Sequence, residues 1–322
     1  MRSLLVTPSV GADDMLVDAA DWAEISALFK ADGTISREDL ARAIFRSASI
    51  REVRARQIAE DAFTEIADRV VSCGTGTSDL NRYPFRLDAG QTLLSLKRPF
   101  RTTSNFGLLY WFLLFVTRAE MDAKERILAS VDPTKAFEQL CGDVLGAFWG
   151  GTTNYSGSIV MGTSSKPTKT VQNFQSKIQQ LCEKLAEGAG WRAGGIAPGA
   201  GDAKLDVVAW KRFADKRQGA LVGFAQCKTG VHWKDHLTKL KPRTFCLRFM
   251  QRPLVIAPLR LYMVPNRIVS HRWEEHTSDG GLLLDRCRLV QYGGAIAAPT
   301  LHSCKKWLMA AYKRQKSGRV TS

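Results

Sequence analysis

The sequence predicts an α/β protein in which a mainly helical region, residues 1–125, precedes an α/β domain over residues 126–322. Three observations predict it. Apolar residues in the first region (Leu40, Ile44, Ile50, Val53, Ile58, Phe63, Ile66) recur at loosely helical spacing among Arg and Glu. Asp132-Pro133 marks a boundary, because proline suits the first turn of a helix. Beyond residue 200 the period shortens to two strand-like runs, residues 205–210 and 221–227.

Taken in order, Ser36-Arg37-Glu38-Asp39 has the form of a capping box, and two helices with a break near Ser47–Ser49 follow it. Residues 73–83 have loop composition, and residues 91–96 form a short strand. Ser104 caps an apolar helix that ends near Met121. Its most hydrophobic run, residues 106–116, is far short of the ~20 residues that a membrane span needs, so it reads as a buried helix. This first region serves either as a DNA-reading module or as a partner-docking one.

A helix over residues 134–148 opens the second domain. A Gly-, Ser- and Thr-rich loop over 150–170 and a helix over 171–187 come next, and the helix stops at Gly188–Gly190. A glycine-rich turn over 194–201 leads into the two strands, which a basic turn over 211–218 joins as a hairpin. Residues 254–264, 282–284 and 287–290 read as further strands, and residues 313–322 as a basic, flexible end.

The charge balance narrows the function. Forty-six Lys and Arg stand against thirty-one Asp and Glu, a formal net charge of +15. Such a surplus favours a polyanion, since each cation that neutralises a phosphate releases condensed counterions. Seven cysteines, an odd number without a CxxC pair, suggest free thiols rather than a disulfide framework or a zinc site, which fits a reducing cytoplasm. Neither a signal peptide nor a membrane segment is expected.

Chemistry concentrates in two stretches. Gly201-Asp202-Ala203-Lys204-Leu205-Asp206 leads into the first strand, and Gln226-Cys227-Lys228 ends the second. Alternate strand residues share a face, so Gln226 and Lys228 point together while Cys227 points into the apolar layer. Paired as a hairpin, the strands bring Asp206 to the same face. Phosphodiester hydrolysis uses such a set: a carboxylate for Mg²⁺, a carbonyl oxygen beside it, and a lysine to orient water or balance charge.

These residues resemble the PD-(D/E)xK superfamily, and within it the Mrr-type restriction endonucleases, whose second half-motif is Q-x-K. Asp206 matches the acidic residue and Gln226-Cys227-Lys228 the Q-x-K. The helical motif F-E-x-L is matched by Phe137-Glu138-Gln139-Leu140, while Ile178-Gln179-Gln180-Leu181-Cys182-Glu183 has a similar shape nearer Asp206. Two departures stand out: Leu205 replaces the proline of the first half-motif, and Gln226 replaces a carboxylate. The resemblance spans about residues 134–240 and implies a restriction-endonuclease-like core, a mixed central sheet flanked by helices. It further implies metal ligation by Asp206, Gln226 and either Glu138 or Glu183, with Mg²⁺ as cofactor (Mn²⁺ as substitute), and a nucleic-acid substrate, DNA before RNA, although nothing in the sequence separates the two polymers. Restriction or anti-phage defence is the implied setting, with a homo-oligomer or a partner subunit in view. A non-cleaving nucleic-acid-binding or assembly subunit that keeps the fold is the alternative.

Basic residues around the strands, Lys204, Arg212, Lys234, Lys239, Lys241 and Arg243, form the expected phosphate-tracking groove. Trp210 and Trp233 are expected in the core. His232 and His236 lie four apart on an expected polar helix beside the site, where they could share a face for zinc or touch a phosphate. The glycine-rich stretch lacks the GxxxxGK[ST] of a phosphate loop, which argues against an ATPase.

Overall fold

A computed structural model of the chain describes residues 15–48, 50–74, 82–102, 104–119, 125–161, 170–193, 204–215 and 217–318. The glycine-rich turn expected over 194–201 lies outside these residues, as do most of the loop over 73–83 and the last four residues of the tail.

The N-terminal region begins with α1 (Met15–Phe29), β1 (Thr34–Ser36), α2 (Arg37–Ser47) and α3 (Glu52–Gly74). The capping box forms as expected: Ser36 Oγ accepts from the Asp39 N–H at 3.0 Å, and Asp39 accepts from the Ser36 N–H. Strands β2 (Phe85–Leu87) and β3 (Leu93–Leu96) follow, and β3 lies between β1 and β2 in an antiparallel three-stranded sheet. Of these strands only β3 was expected; three-residue strands carry too little alternation to register as a period. Ser104 caps α4 (Asn105–Arg118), whose Leu108 to Val116 are all buried.

The second region is built on a five-stranded mixed sheet of order β4-β5-β6-β7-β8. Its strands are β4 (Ser156–Val160), β5 (Val207–Lys211), β6 (Leu221–Cys227), β7 (Leu259–Met263) and β8 (Leu282–Leu284). The expected hairpin is present: β5 pairs antiparallel with β6, with Val207 opposite Ala225. β6 then pairs parallel with β7, and β7 parallel with β8. The helices are α5 (Pro133–Phe148), α6 (Thr170–Leu185), α7 (Pro242–Phe249), α8 (Trp273–Gly280), α9 (Arg286–Val290) and α10 (Ala298–Gly318). Asp132 caps α5 through the Thr134 N–H, with Pro133 in its first turn.

Several expectations are corrected. The polar loop over 150–170 contains the edge strand β4, and the strand expected over 254–264 is confined to β7. Residues 287–290 are helical, because Asp285 caps them through the Arg288 N–H at 3.1 Å. The basic tail is helix as far as Gly318. Cys73 and Cys287 form a disulfide, so the seven cysteines are not all free thiols; the other five are free and buried.

Each face of the large sheet meets its own layer. Val207, Ala209, Ala225, Cys227, Leu261 and Met263 pack with Phe137, Leu140 and Val144 of α5. On the opposite face Val208, Trp210, Val222 and Phe224 meet Ile178 and Leu181 of α6 and Phe245 and Phe249 of α7. Gly223 marks the closest approach of α5's end: a Cβ there would lie 2.6 Å from Leu261 Cδ1 and 3.0 Å from Trp149. The α5-side core continues without a break into α1, α3 and α4, so residues on both sides of position 125 share it.

Buried charges fasten the same junction. Arg286 donates two parallel hydrogen bonds to Asp21, at 2.7 and 2.8 Å, and Arg69 reaches Asp21 at 2.6 Å and Glu24 at 2.9 Å. All four side chains are fully buried. Burial opposes the Asp21 charge, but Arg286 and Arg69 overcome it and hold its pKa down at about 2. Among the described residues no helix is long and apolar enough to cross a membrane.

Candidate active site

The hairpin register fixes the centre of the site. With Val207 opposite Ala225, Asp206 falls opposite Gln226 at the end of the sheet where β6 finishes. Its N–H donates to the Ala225 carbonyl at 2.9 Å, and its Oδ2 accepts from the Cys227 N–H at 2.7 Å. The Lys228 N–H donates to the Met263 carbonyl at 3.0 Å and carries the parallel ladder one residue past β6. Backbone bonding thus holds Asp206, Gln226 and Lys228 in place, as the sequence leads one to expect.

Glu138 joins them from α5. Burial pushes its pKa up to about 7, helped by the negative charges of Asp206 and Asp132 and opposed by Lys228 and Lys135. The Asp206 pKa is raised as well, by burial, against the Cys227 N–H, Lys228 and Lys204. Two half-buried carboxylates therefore stand near one another, with three lysines, Lys228, Lys135 and Lys204, acting on them. Such a pair is strained at neutral pH until a cation or a proton comes between them.

Gln226 is the unusual member. It lies on the β6 face of Phe224, fully buried, and among the described residues neither its Oε1 nor its Nε2 has a hydrogen-bond partner. A buried amide left unpaired costs about 1–3 kcal/mol per group, so a position that keeps one points to an absent partner. Cys227 points the other way, beside Cys141 of α5, and burial raises the pKa of both thiols.

Other expected residues are dispersed. Glu183 is exposed on α6 and accepts from Gln179 Nε2 at 3.0 Å. The same helix end leads to Glu187, which is buried and accepts from the N–H groups of Gly219, Ala220 and Val255 near the start of β6. That is the end of the sheet opposite Asp206, so of the two candidate glutamates it is Glu138 that joins the site. Arg212 also lies past the far end of β5, roughly 20 Å from Asp206 at ~3.3 Å per strand residue. There it donates to the Asn154 carbonyl at 3.0 Å and lies over Tyr155.

Lys204 precedes Asp206 and contributes to its electrostatics. Lys234, over the Trp233 ring at 5.9 Å, and the exposed Lys239 lie on and just after the turn that follows Lys228. Lys241 precedes α7 and Arg243 is exposed in its first turn. The expected polar helix around the histidines is a 3₁₀ turn, Trp233–His236, held down by a hydrogen bond from the Tyr262 hydroxyl to the Trp233 carbonyl at 2.6 Å. His232 is exposed beside Asp235, 3.6 Å away, and a short 3₁₀ turn does not align positions four apart, which corrects the zinc-pair expectation. Trp210 and Trp233 are buried, as expected.

His236 emerges from the structure with more weight than its sequence position suggests. Its Nδ1 is buried without a partner among the described residues, and Lys239, Lys228 and Lys204 all act on its charge. No spacing rule links residue 236 to residue 204; only the turn pinned by Tyr262 brings them together.

Comparison of the chain with protein-family models, with curated proteins and with solved structures gave no match. Among the described residues no cluster of three or more His, Cys, Asp or Glu side chains is placed to hold a metal by itself.

Proposed function

We propose that the chain is a metal-dependent nuclease of the restriction-endonuclease-like type that hydrolyses DNA phosphodiester bonds. The observation that carries this reading is Gln226: a fully buried amide, without a hydrogen-bond partner among the described residues, that falls opposite Asp206 in the hairpin and two residues before Lys228 at the end of β6. Two carboxylates and an amide oxygen suit a hard divalent cation that keeps several of its waters, Mg²⁺ first and Mn²⁺ as substitute. A bound cation there would polarise the phosphate and lower the pKa of a coordinated water.

The chain's own groups divide the remaining work. Asp206, fixed by the Cys227 N–H, presents a carboxylate oxygen in a set direction. Glu138 adds the second negative oxygen, and its closeness to Asp206 becomes favourable once a cation lies between them. Gln226 offers Oε1 as a neutral ligand. Lys228 faces the charge that builds on the phosphate and orients the attacking water. Lys204, Lys234, Lys239, Lys241 and Arg243 track the flanking backbone. The resemblance favours restriction or anti-phage defence as the setting, with a partner subunit or a second copy as companion.

Incubation with plasmid DNA in Mg²⁺, Mn²⁺ or EDTA tests the reading. Cleavage should require the metal and disappear in Asp206→Ala and Lys228→Ala, both still folded by circular dichroism. Undiminished cleavage in both variants would remove the assignment. The second reading, a nucleic-acid-binding or assembly subunit without turnover, draws on Gln226 standing where a carboxylate is expected. DNA binding that falls with salt, with no cleavage in any divalent cation, would favour it.

A further inference from the structure

We infer that His236, with Lys204, Lys228 and Lys239, forms a phosphate-binding subsite beside the two carboxylates, a role that takes its polymer from the nuclease reading. The four residues come from three separate segments: Lys204 before β5, Lys228 after β6, and His236 and Lys239 on and after the 3₁₀ turn. They converge because Tyr262 and Trp233 pin that turn over the end of β6 and β7, with the ring centroids 6.3 Å apart. The result is a division of labour by sign. Asp206 and Glu138 supply the negative charge, and the Lys239, Lys228 and Lys204 ammonium groups act on the His236 imidazole.

The charges acting on His236 disfavour a further positive charge on its ring. Burial comes first, then Lys239, Lys228 and Lys204, and these lower its pKa below the usual histidine value against the opposing Asp235. A neutral ring keeps one N–H donor and one acceptor nitrogen. Its Nδ1 is buried and has no hydrogen-bond partner among the described residues. A phosphodiester brings several acceptor oxygens to the ring N–H and the three ammonium groups. The lysines supply the attraction and the neutral N–H supplies direction without adding to their mutual repulsion.

The test runs in EDTA, where cleavage plays no part. The C2–H resonance of His236 is assigned in the wild-type protein by its loss in His236→Gln, and then followed on addition of inorganic phosphate or a short DNA duplex. DNA should move the resonance at a lower phosphate-group concentration than the free ion does. His236→Ala should weaken duplex binding about 3- to 10-fold, with part restored in His236→Gln, which keeps an N–H donor. The inference falls if neither ligand moves the resonance, if only inorganic phosphate does, or if His236→Ala binds DNA as well as wild type. Failure of cleavage in Mg²⁺ would leave these readouts standing, so the two proposals fail separately.

Discussion

At the scale of the residue, the site holds groups that the fold alone would not choose. Gln226 is fully buried with both amide atoms unpaired among the described residues, so an apolar side chain of similar length should suit the metal-free fold better. Gln226→Met is expected to raise metal-free stability by about 1–2 kcal/mol in urea unfolding while abolishing metal-dependent cleavage. A loss of stability instead would mean that the amide has partners in solution that the fold does supply. Glu138 gives a pH signature of definite sign. Its folded pKa of about 7 lies above the ordinary 4.5, so the unfolded chain ionises first as pH rises. Stability is therefore complete below about 4.5 and falls as pH passes through 7. Glu138→Gln should flatten that decline in EDTA, gaining about 1–2 kcal/mol over wild type at pH 8. Parallel pH profiles for the two proteins would show that the carboxyl is not held as described.

Elements differ in how much of themselves they declare in the sequence. Strand β6 does so fully: Leu221-Val-Gly-Phe-Ala-Gln-Cys227 is apolar, ends in polar residues and has the length of a buried strand. Its neighbour β5 and the helix α5 are equally clear, and with them the positions of Asp206 and Lys228. Strand β4 is hidden because Ser156-Gly157-Ser158 has the composition of the loop around it; only pairing with β5 makes it a strand. Helix α9 is five residues long, too short for a helical period, and its one local signal was Asp285 as cap. The choice between Glu138 and Glu183 was beyond periodicity altogether, since it depends on which end of the sheet each helix reaches. That end is set for α6 by Glu187, whose carboxylate gathers three backbone N–H groups from two loops. Glu187→Ala should lower stability by on the order of 3 kcal/mol, and Glu187→Gln by less because it keeps an acceptor oxygen. Equal losses in thermal unfolding would argue that charge, rather than the three bonds, holds the junction.

Across the whole molecule, the N-terminal helices and the sheet region share one core, one buried charge network and one disulfide. Arg286→Ala is expected to cost about 3–5 kcal/mol, because it leaves Asp21 facing Arg69 alone in a dry interior; Asp21→Asn added to it should recover part of that loss. Reduction of Cys73–Cys287, which closes a loop of 214 residues, should lower the urea midpoint by an amount worth about 2–5 kcal/mol. An unchanged midpoint would mean that the bridge adds nothing to packing already complete. The last described helix bears on how the chain is made. In α10, Trp307 is wholly buried, set edge-on to Phe112 of α4 at 5.7 Å, and donates to the Arg126 carbonyl at 2.8 Å. A core that packs α10 against α4 cannot be complete until residues 298–318 have left the ribosome. At ~5–20 residues per second, α4 would wait roughly ten to forty seconds after its own synthesis before that partner emerges. Through that interval its run of buried aromatics has no completed surface to cover it, which makes the nascent chain a client for chaperones, and a polypeptide stopped before residue 298 should be recovered in the insoluble fraction.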